Sequence, residues 1–403
     1  MGAGRSARPA GRSTRGDEPI RMVREGRYDR QGLAGWSPAK LAGARVVVVG
    51  AGAIGNEVVK NLALVGVGTV LLIDFDRVAP SNLTRCVLMR EEDVGRPKAT
   101  VAAERAQNLN PDVRVLPIDG DVEFDIGDAH LAEADAVLGC LDNAYARYVL
   151  NSRMRSLGRG WIDAGISQDG VQVTVFGTRG SCFACTLGER TLERLRERFS
   201  CTGLRRVMDE PVVPTTVVTA AMAAALVTQL AVDSLHGRLP ADRRWTLLLG
   251  ARRWLTDDLS ADPECPLHRR RRAVKATETS CTARDSWADM IRLGYAPAHA
   301  ALELDRPVVT GFRCEDCGRA EDALGPMPRI PQEMGVCPAC QCAMAETSVA
   351  RVVPDGRLAA IPLSVLGYAP GDRLRGRARR KTITLQLARL PGWERQEPVE
   401  RRT

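Results

Sequence analysis

The valine-rich run Arg45–Val49 leads straight into Gly50-Ala51-Gly52-Ala53-Ile54-Gly55, and an apolar-periodic stretch, Asn56–Val65, follows. Nothing else in the chain constrains its fold as tightly. A short β-branched run of this kind suits a strand buried on both faces of a parallel sheet. The glycines permit a tight turn and a close backbone approach. A helix opening behind them turns unpaired N–H groups and the positive end of its dipole toward an anion. A second strand, Thr69–Ile73, ends at Asp74, where a carboxylate can take ribose hydroxyls. Lys98–Leu109 is predicted to be a helix, Val113–Ile118 a strand, and Ala136–Leu141 a strand ending at Asp142. Strand and helix in alternation imply a doubly wound, Rossmann-like α/β sheet with right-handed crossovers. On the glycine turn and Asp74 alone, a dinucleotide site for NAD or FAD is the ordinary reading.

The charged residues around the turn change that reading. Asp74-Phe75-Asp76 is followed by Ser81-Asn82-Leu83-Thr84-Arg85 and then by Gly95-Arg96-Pro97-Lys98. A hydride-transfer enzyme has no use for an arginine and a lysine converging beyond its second strand. An enzyme that expels pyrophosphate does, because cations stabilise the charge that collects on the leaving group. Upstream stands Arg27-Tyr28-Asp29-Arg30-Gln31, and downstream Leu141-Asp142-Asn143 with Arg147. Asp142, at the carboxyl end of a strand, lies where open α/β sheets place ligands and could hold magnesium against phosphates.

From Gly26 to Arg270 the chain resembles the ubiquitin-activating-type adenylyltransferases, which include the MoeB/ThiF-type enzymes of molybdopterin and thiamine biosynthesis. The resemblance rests on RYDRQ, VVGAGAIG, DFD, SNLTR, GRPK, LDN and a CxxC pair. It implies an ATP-dependent adenylyltransferase acting on the C-terminal carboxylate of a ubiquitin-like or sulfur-carrier protein that ends in Gly-Gly. It also implies a homodimer, with a conjugating enzyme as a further partner. By the same resemblance Gly50, Gly52 and Gly55 form the nucleotide turn and Asp74 binds ribose. Asn82, Arg85 and Lys98 hold phosphates, Asp142 coordinates magnesium, and Arg30 is an arginine finger reaching into the partner subunit's site. Asp76 and Asn143 join the nucleotide-binding set.

Twelve cysteines add metal chemistry. Cys182-Phe183-Ala184-Cys185 is half of a zinc site, and the family's second CxxC reads here Cys265-Pro266-Leu267-His268. Three thiolates and one imidazole form an accepted structural zinc set, and a full set leaves no open catalytic position. Cys314-Glu315-Asp316-Cys317 and Cys337-Pro338-Ala339-Cys340 have zinc-ribbon spacing, with Cys342 an alternative to Cys340. The ribbon is absent from minimal family members; with few aromatics near it, a docking module is favoured over a nucleic-acid reader. Cys201 lies between the first pair and a long apolar helix. It is either a reactive thiol, which takes the acyl group as a thioester or passes sulfur as a persulfide, or an inert loop thiol. Arg205 and Arg206 could lower its pKa. Cys86 and Cys140 read as packing residues and Cys281 is unassigned. His130, His236 and His299 lie in polar stretches expected to be exposed, so no histidine is paired with a nucleophile.

The domain boundaries expected are a disordered basic tail (1–24), the adenylation domain (25–272), a connecting segment (273–312), a zinc-ribbon and short-strand domain (313–390) and a tail (391–403). The formal charge of +8 owes much to arginines in the first 24 residues, a segment too poor in apolar side chains to offset its ordering entropy. That segment has no apolar stretch for export, so a cytoplasmic, reducing setting is expected. Val217–Val232 is too short and too polar to span a membrane and reads as a buried helix. Two other functions remain: adenylation of a ribosomal peptide in antibiotic biosynthesis, and a non-catalytic zinc-ribbon adaptor.

Overall fold

The computed structural model describes residues 26–167, 170–197, 215–268, 275–379 and 381–395. The expected tail 1–24 lies outside them, as does Cys201 with Arg205 and Arg206.

Two short helices, α1 (Asp29–Leu33) and α2 (Pro38–Ala42), precede an alternating series. It runs β1 (Arg45–Val49), α3 (Ala53–Val65), β2 (Thr69–Asp74), α4 (Lys98–Leu109), β3 (Arg114–Asp119), α5 (Asp128–Glu133), β4 (Ala136–Gly139), α6 (Ala144–Leu157) and β5 (Trp161–Ser167). The series continues through β6 (Gly170–Phe176), α7 (Glu189–Glu197), α8 (Val217–Leu235), β7 (Arg243–Leu248) and β8 (Arg253–Asp258). The strands form one sheet in the order β3-β2-β1-β4-β5-β6-β7-β8. β3 to β5 are parallel and β6 to β8 extend the sheet antiparallel.

Every residue of β1 is buried, as its valines require. On one face α3, α4 and α8 cover Val46, Val48, Val70 and Leu72. On the other, Val47, Val49, Leu71 and Ile73 pack in a cluster with Leu131, Leu150 and Trp393.

Three local expectations shift. The first helix begins at Ala53 rather than Asn56, because Gly52 itself caps it, so the helix terminus lies inside the glycine turn. β4 stops at Gly139 rather than Leu141, and Asp142 stands in a loop three residues beyond the strand. His130, expected to be exposed, is fully buried. Its ring sits edge-on to Trp393 at 5.5 Å, and its Nε2 accepts the Leu390 N–H at 3.1 Å. Burial lowers its pKa to about 4, so it is a neutral packing residue.

A second sheet contains β9 (Thr277–Glu278), β10 (Ala301–Cys314), β11 (Ala320–Pro326), β12 (Met344–Val352), β13 (Arg373–Ala378) and β14 (Lys381–Gln386), with α9 (Trp287–Arg292) beside it. β10 is its backbone and pairs with β11, β12 and β13. Residues 273–312, expected as a connection, therefore supply β9, α9 and β10. Trp287, Met290 and Leu302 from that segment pack with Leu363, Leu374 and Leu385 in a core of their own. The expected tail is also partly built in: Trp393 is fully buried under the first sheet, with the Arg45 guanidinium 5.2 Å from its ring centre. Trp393→Phe should cost about 1–2 kcal/mol through the void it leaves, read as a lower urea midpoint with an unchanged slope.

α8 is long and apolar enough to cross a membrane, but half of that stretch is buried in the protein. Ala220, Ala223, Ala224 and Val227 face the core, in line with the expected buried helix.

Candidate active site

Different demands set the three glycines of the turn. Gly50 has φ of +99°, and a Cβ there would lie 2.4 Å from the Cys140 carbonyl oxygen. A Cβ at Gly55 would lie 1.9 Å from the Gly50 carbonyl oxygen. Gly52 has no neighbour within 4 Å of its missing Cβ. Two glycines thus satisfy the protein's own packing, and the third leaves open space at the N-terminus of α3. Chain order reverses at β1, which lies between β2 and β4, so this is the topological switch point of the sheet.

Asp74 ties β2 to the turn. Its carboxylate accepts the Ala51 N–H at 2.6 Å and the Asp76 N–H at 2.7 Å. Burial raises its pKa, while those two N–H groups and the Lys98 charge oppose the rise. A carboxylate has about four acceptor positions, so two stay available for ribose hydroxyls.

Lys98 opens α4 and is nearly buried, with Nζ 2.7 Å from Asp76 Oδ2. Its N–H donates to the Asp76 carbonyl at 2.9 Å, and a bridge between Arg77 and Pro97 folds the intervening loop back. Asn82 is buried and its Oδ1 accepts the Ala79 N–H. The Arg85 guanidinium donates to the Ser81 carbonyl at 2.7 Å. Behind them the buried Cys86 thiol has its pKa raised by burial, with the charges of Arg85, Lys98, Asp74 and Glu57 also acting on it. DFD, SNLTR and GRPK therefore converge around one place.

Across the switch point Asn143 caps α6, accepting the Ala146 N–H at 2.8 Å and donating to Asp142 Oδ1 at 3.1 Å. Asp142 is exposed, and its Oδ2 has no hydrogen bond among the described residues. Beneath the site, the partner of Arg147 went unrecognised in the sequence. Arg147 donates to the buried Asp163 at 3.0 Å and also to the carbonyls of Leu141 and Ala164, clamping the ends of β4 and β5 together. Burial raises the pKa of Asp163 against the Arg147 charge. Asn56, buried in the first turn of α3, was also missed; it accepts the Leu88 N–H at 2.7 Å. An asparagine on the apolar face of a helix was the one signal available for it. Cys140 is buried and its pKa strongly raised by desolvation, as suits a packing thiol.

Arg30 is not part of this constellation. Tyr28 beside it packs on Gly66, and Gln31 donates to the Leu64 carbonyl, both at the far end of α3. Thirteen residues of helix separate the ends of α3, about 20 Å at 1.5 Å per residue.

Both expected cysteine sets assemble. Cys182 Sγ lies 3.7 Å from the sulfurs of Cys185 and Cys265, and Cys185 Sγ lies 3.2 Å from His268 Nε2. In the second set Cys314–Cys340 is 3.4 Å, Cys317–Cys337 3.5 Å and Cys317–Cys340 3.8 Å. In each set all four ligand atoms lie within 4.8 Å of one another. Tetrahedral zinc with bonds of about 2.3 Å needs sulfurs roughly 3.8 Å apart, so the donor sets fit zinc. Cys342 turns its thiol to the Cys340 carbonyl, which leaves Cys340 as the ligand.

A glycine turn at the switch point of a sheet whose strands there run parallel, flanked by a buried lysine and two aspartates, places the chain in the doubly wound α/β class. Residues 29–267 match the ThiF family, more than half of the chain, and the chain belongs to that family. It is similar to the SAMP-activating enzyme E1 of Haloferax volcanii (39% identity over 150 residues, covering 37% of this chain and 56% of that protein). It is also similar to the sulfur carrier protein adenylyltransferase of Thermus thermophilus (41% over 152 residues, covering 36% and 56%). The match thus spans little more than half the length of these relatives. The crystal structure of Escherichia coli MccB with ATP shares the fold, with a TM-score of 0.50 and 23% identity over 61% of this chain and 74% of that one.

Proposed function

We propose that this protein uses ATP to adenylate the C-terminal carboxylate of a ubiquitin-like or sulfur-carrier protein ending in Gly-Gly. The observation that carries the reading is the placement of Asp74 and the Asp76–Lys98 pair beside the open Gly52 turn, with Leu83 and Cys86, on either side of Arg85, packed in one cluster with Ala53. The pyrophosphate of NAD would sit on the glycine turn, leaving those cations without a further phosphate to meet. The two named relatives, a SAMP-activating E1 and a sulfur carrier adenylyltransferase, support the choice of substrate.

A carboxylate is ionised at neutral pH, so attack needs no general base. Its oxygen bonds to the α-phosphorus, the bond from that phosphorus to the bridging oxygen breaks, and pyrophosphate leaves. Lys98 and Arg85 meet the charge on the departing oxygens, and the open N-terminus of α3 receives phosphate. Asp74 orients the ribose. Asp142, with a carboxylate oxygen free among the described residues at the switch point, suits magnesium, which commonly takes one or two carboxylates plus phosphates and water; bound there, it would neutralise phosphate charge. Where a thiol takes the acyl group, Cys201 attacks the adenylate, a thioester forms and AMP leaves. The two zinc sets are structural in this reading. The ribbon is a docking module for the partner or a conjugating enzyme, and reduced thiols fit a cytoplasmic setting.

Calorimetry with ATP and magnesium, set against NAD, tests the nucleotide. Pyrophosphate exchange driven by a Gly-Gly-ending protein tests the reaction. Tight NAD binding with no response to ATP would overturn the reading.

Arg30 enters through a second copy of the chain. An arginine side chain cannot cover the length of α3, so Arg30 can serve only a partner subunit's nucleotide. Val218 and Met222 form an exposed apolar stripe on α8 that suits a homodimer. Arg30→Ala and Lys98→Ala, each impaired alone, should complement when mixed and re-equilibrated. Half the dimers would then carry one working site, restoring about a quarter of wild-type exchange. Recovery no greater than the sum of the parents would exclude a finger acting in trans.

A further inference from the structure

The seam between the two sheets grips the loop 120–127, which connects β3 to α5. Arg306 of β10 donates to Glu123 Oε1 at 2.8 Å, and its guanidinium lies 4.8 Å from the centre of the Phe124 ring. Arg329, from the ribbon end of the second sheet, lies 4.9 Å from the same ring and pairs with Asp125. One aromatic ring thus contacts two cations, which also pair with the acids before and after it in sequence. Such contacts gain strength as they are desolvated, and the Glu123 side chain is only 9% exposed. The loop is braced internally as well: the Asp121 N–H donates to Asp125 and the Glu123 N–H to Asp121.

The other Glu123 oxygen faces the first sheet. Oε2 accepts the Tyr145 hydroxyl at 2.8 Å. Tyr145 lies in the first turn of α6, the turn capped by Asn143, whose amide holds Asp142. Two short polar contacts, Arg306 to Glu123 and Glu123 to Tyr145, therefore run from β10 to the first turn of α6, and the backbone of that turn joins Tyr145 to the cap Asn143, which holds Asp142.

We propose that Arg306, Glu123 and Tyr145 are positioning residues through which the C-terminal sheet fixes the first turn of α6, and with it the Asp142 carboxylate. A terminal helical turn frays readily, and a cap opposes the fraying. A buried carboxylate anchored by an arginine on one side and holding a phenol on the other restrains that turn from outside. Glu123 is suited to the middle position because its two oxygens face different partners. Its pKa is raised by burial, opposed first by the Arg306 charge and then by the Tyr145 hydrogen bond, and removing Arg306 takes away the contact that fixes Oε1. The second sheet thus completes the nucleotide site, and anything that displaces Arg306 or Arg329 loosens it. The structural half of this inference stands alone; the half concerning nucleotide rests on the reading of Asp142 as a magnesium ligand.

The test uses the full chain with Arg306→Ala, Tyr145→Phe, the double variant and Arg306→Lys. Hydrogen exchange without nucleotide should show the Ala146 amide and its neighbours in the first turn of α6 exchanging about tenfold faster in both single variants. The last turn of α6 should be unchanged. The double variant should be no faster than either single one, and Arg306→Lys should recover most of the protection. In calorimetry the single variants should bind ATP about three- to tenfold more weakly with magnesium and equally well in a chelator. Unchanged exchange in Tyr145→Phe, which removes one hydroxyl and little else, would overturn the inference. Loss of protection throughout α6 would also overturn it, since that marks general destabilisation. Changed exchange with no ATP binding even in the wild type would uphold the positioning series and sink the nucleotide reading instead.

Discussion

Asp142→Ala is expected to slow pyrophosphate exchange at least about 10²-fold, the scale on which removal of one electrostatic stabiliser acts. The carboxylate stands at the switch point with one oxygen on Asn143 and the other uncommitted among the described residues, so its removal strips charge from the site without removing packing. The protein should melt as the wild type does, because Asn143 keeps its cap on α6. Lys98→Ala should fall as far for a different reason. It removes a nearly buried cation and leaves Asp76, its partner at 2.7 Å, unpaired beside the phosphates. Cys201→Ala provides the contrast. Exchange should survive, since the adenylate forms before any thiol attacks, while a reductant-sensitive adduct with the partner should vanish. Exchange at the wild-type rate in Asp142→Ala would mean that the proposed division of roles does not hold for this chain.

The parts of the site that were legible are those written in short segments. A glycine turn between a valine run and a helix needs only neighbours in sequence, and Gly50 and Gly55 stand where backbone geometry demands them, with Gly52 left open between them. Both cysteine sets were legible because thiolates at knuckle spacing have few other uses. The seam was not. Arg306 meets Glu123 across 183 positions and Arg329 meets Asp125 across 204, and each of these residues alone reads as solvated surface. His130 misled for the same reason: its neighbours in sequence are polar, while the apolar partner that buries it, Trp393, stands 263 positions downstream (393 − 130) in what reads as a tail. The connecting segment was misplaced because β10 earns its central position by pairing with strands on both sides, a property of the sheet and not of its own residues. Arg147 and Asp163 show the intermediate case. The arginine was noticed beside LDN, but the aspartate that neutralises it lies on the next strand, with nothing local to mark it as buried.

The Cys182–Cys185–Cys265–His268 set should carry the largest stability effect of any single side chain in the first domain. Cys185 and Cys265 are 80 positions apart (265 − 185), and the segments they anchor both pack on α6. A metal there closes a long loop and fixes one helix from two directions. Structural zinc binding contributes on the order of 10 kcal/mol where folding and binding are coupled. A domain with its own core keeps part of its stability without it, so Cys265→Ala should cost several kcal/mol and lower the melting temperature by about 10 °C. Zinc content should drop from two per chain to one, with the ribbon set keeping its ion. His268→Cys is the complementary variant. It restores four thiolates at the same spacing, so zinc should stay at two per chain with little change in melting. If Cys265→Ala keeps two zinc ions and an unchanged melting temperature, the four residues are close packed but hold no metal. If it loses zinc yet melts normally, the ion is bound but the staple is not what holds α6 in place.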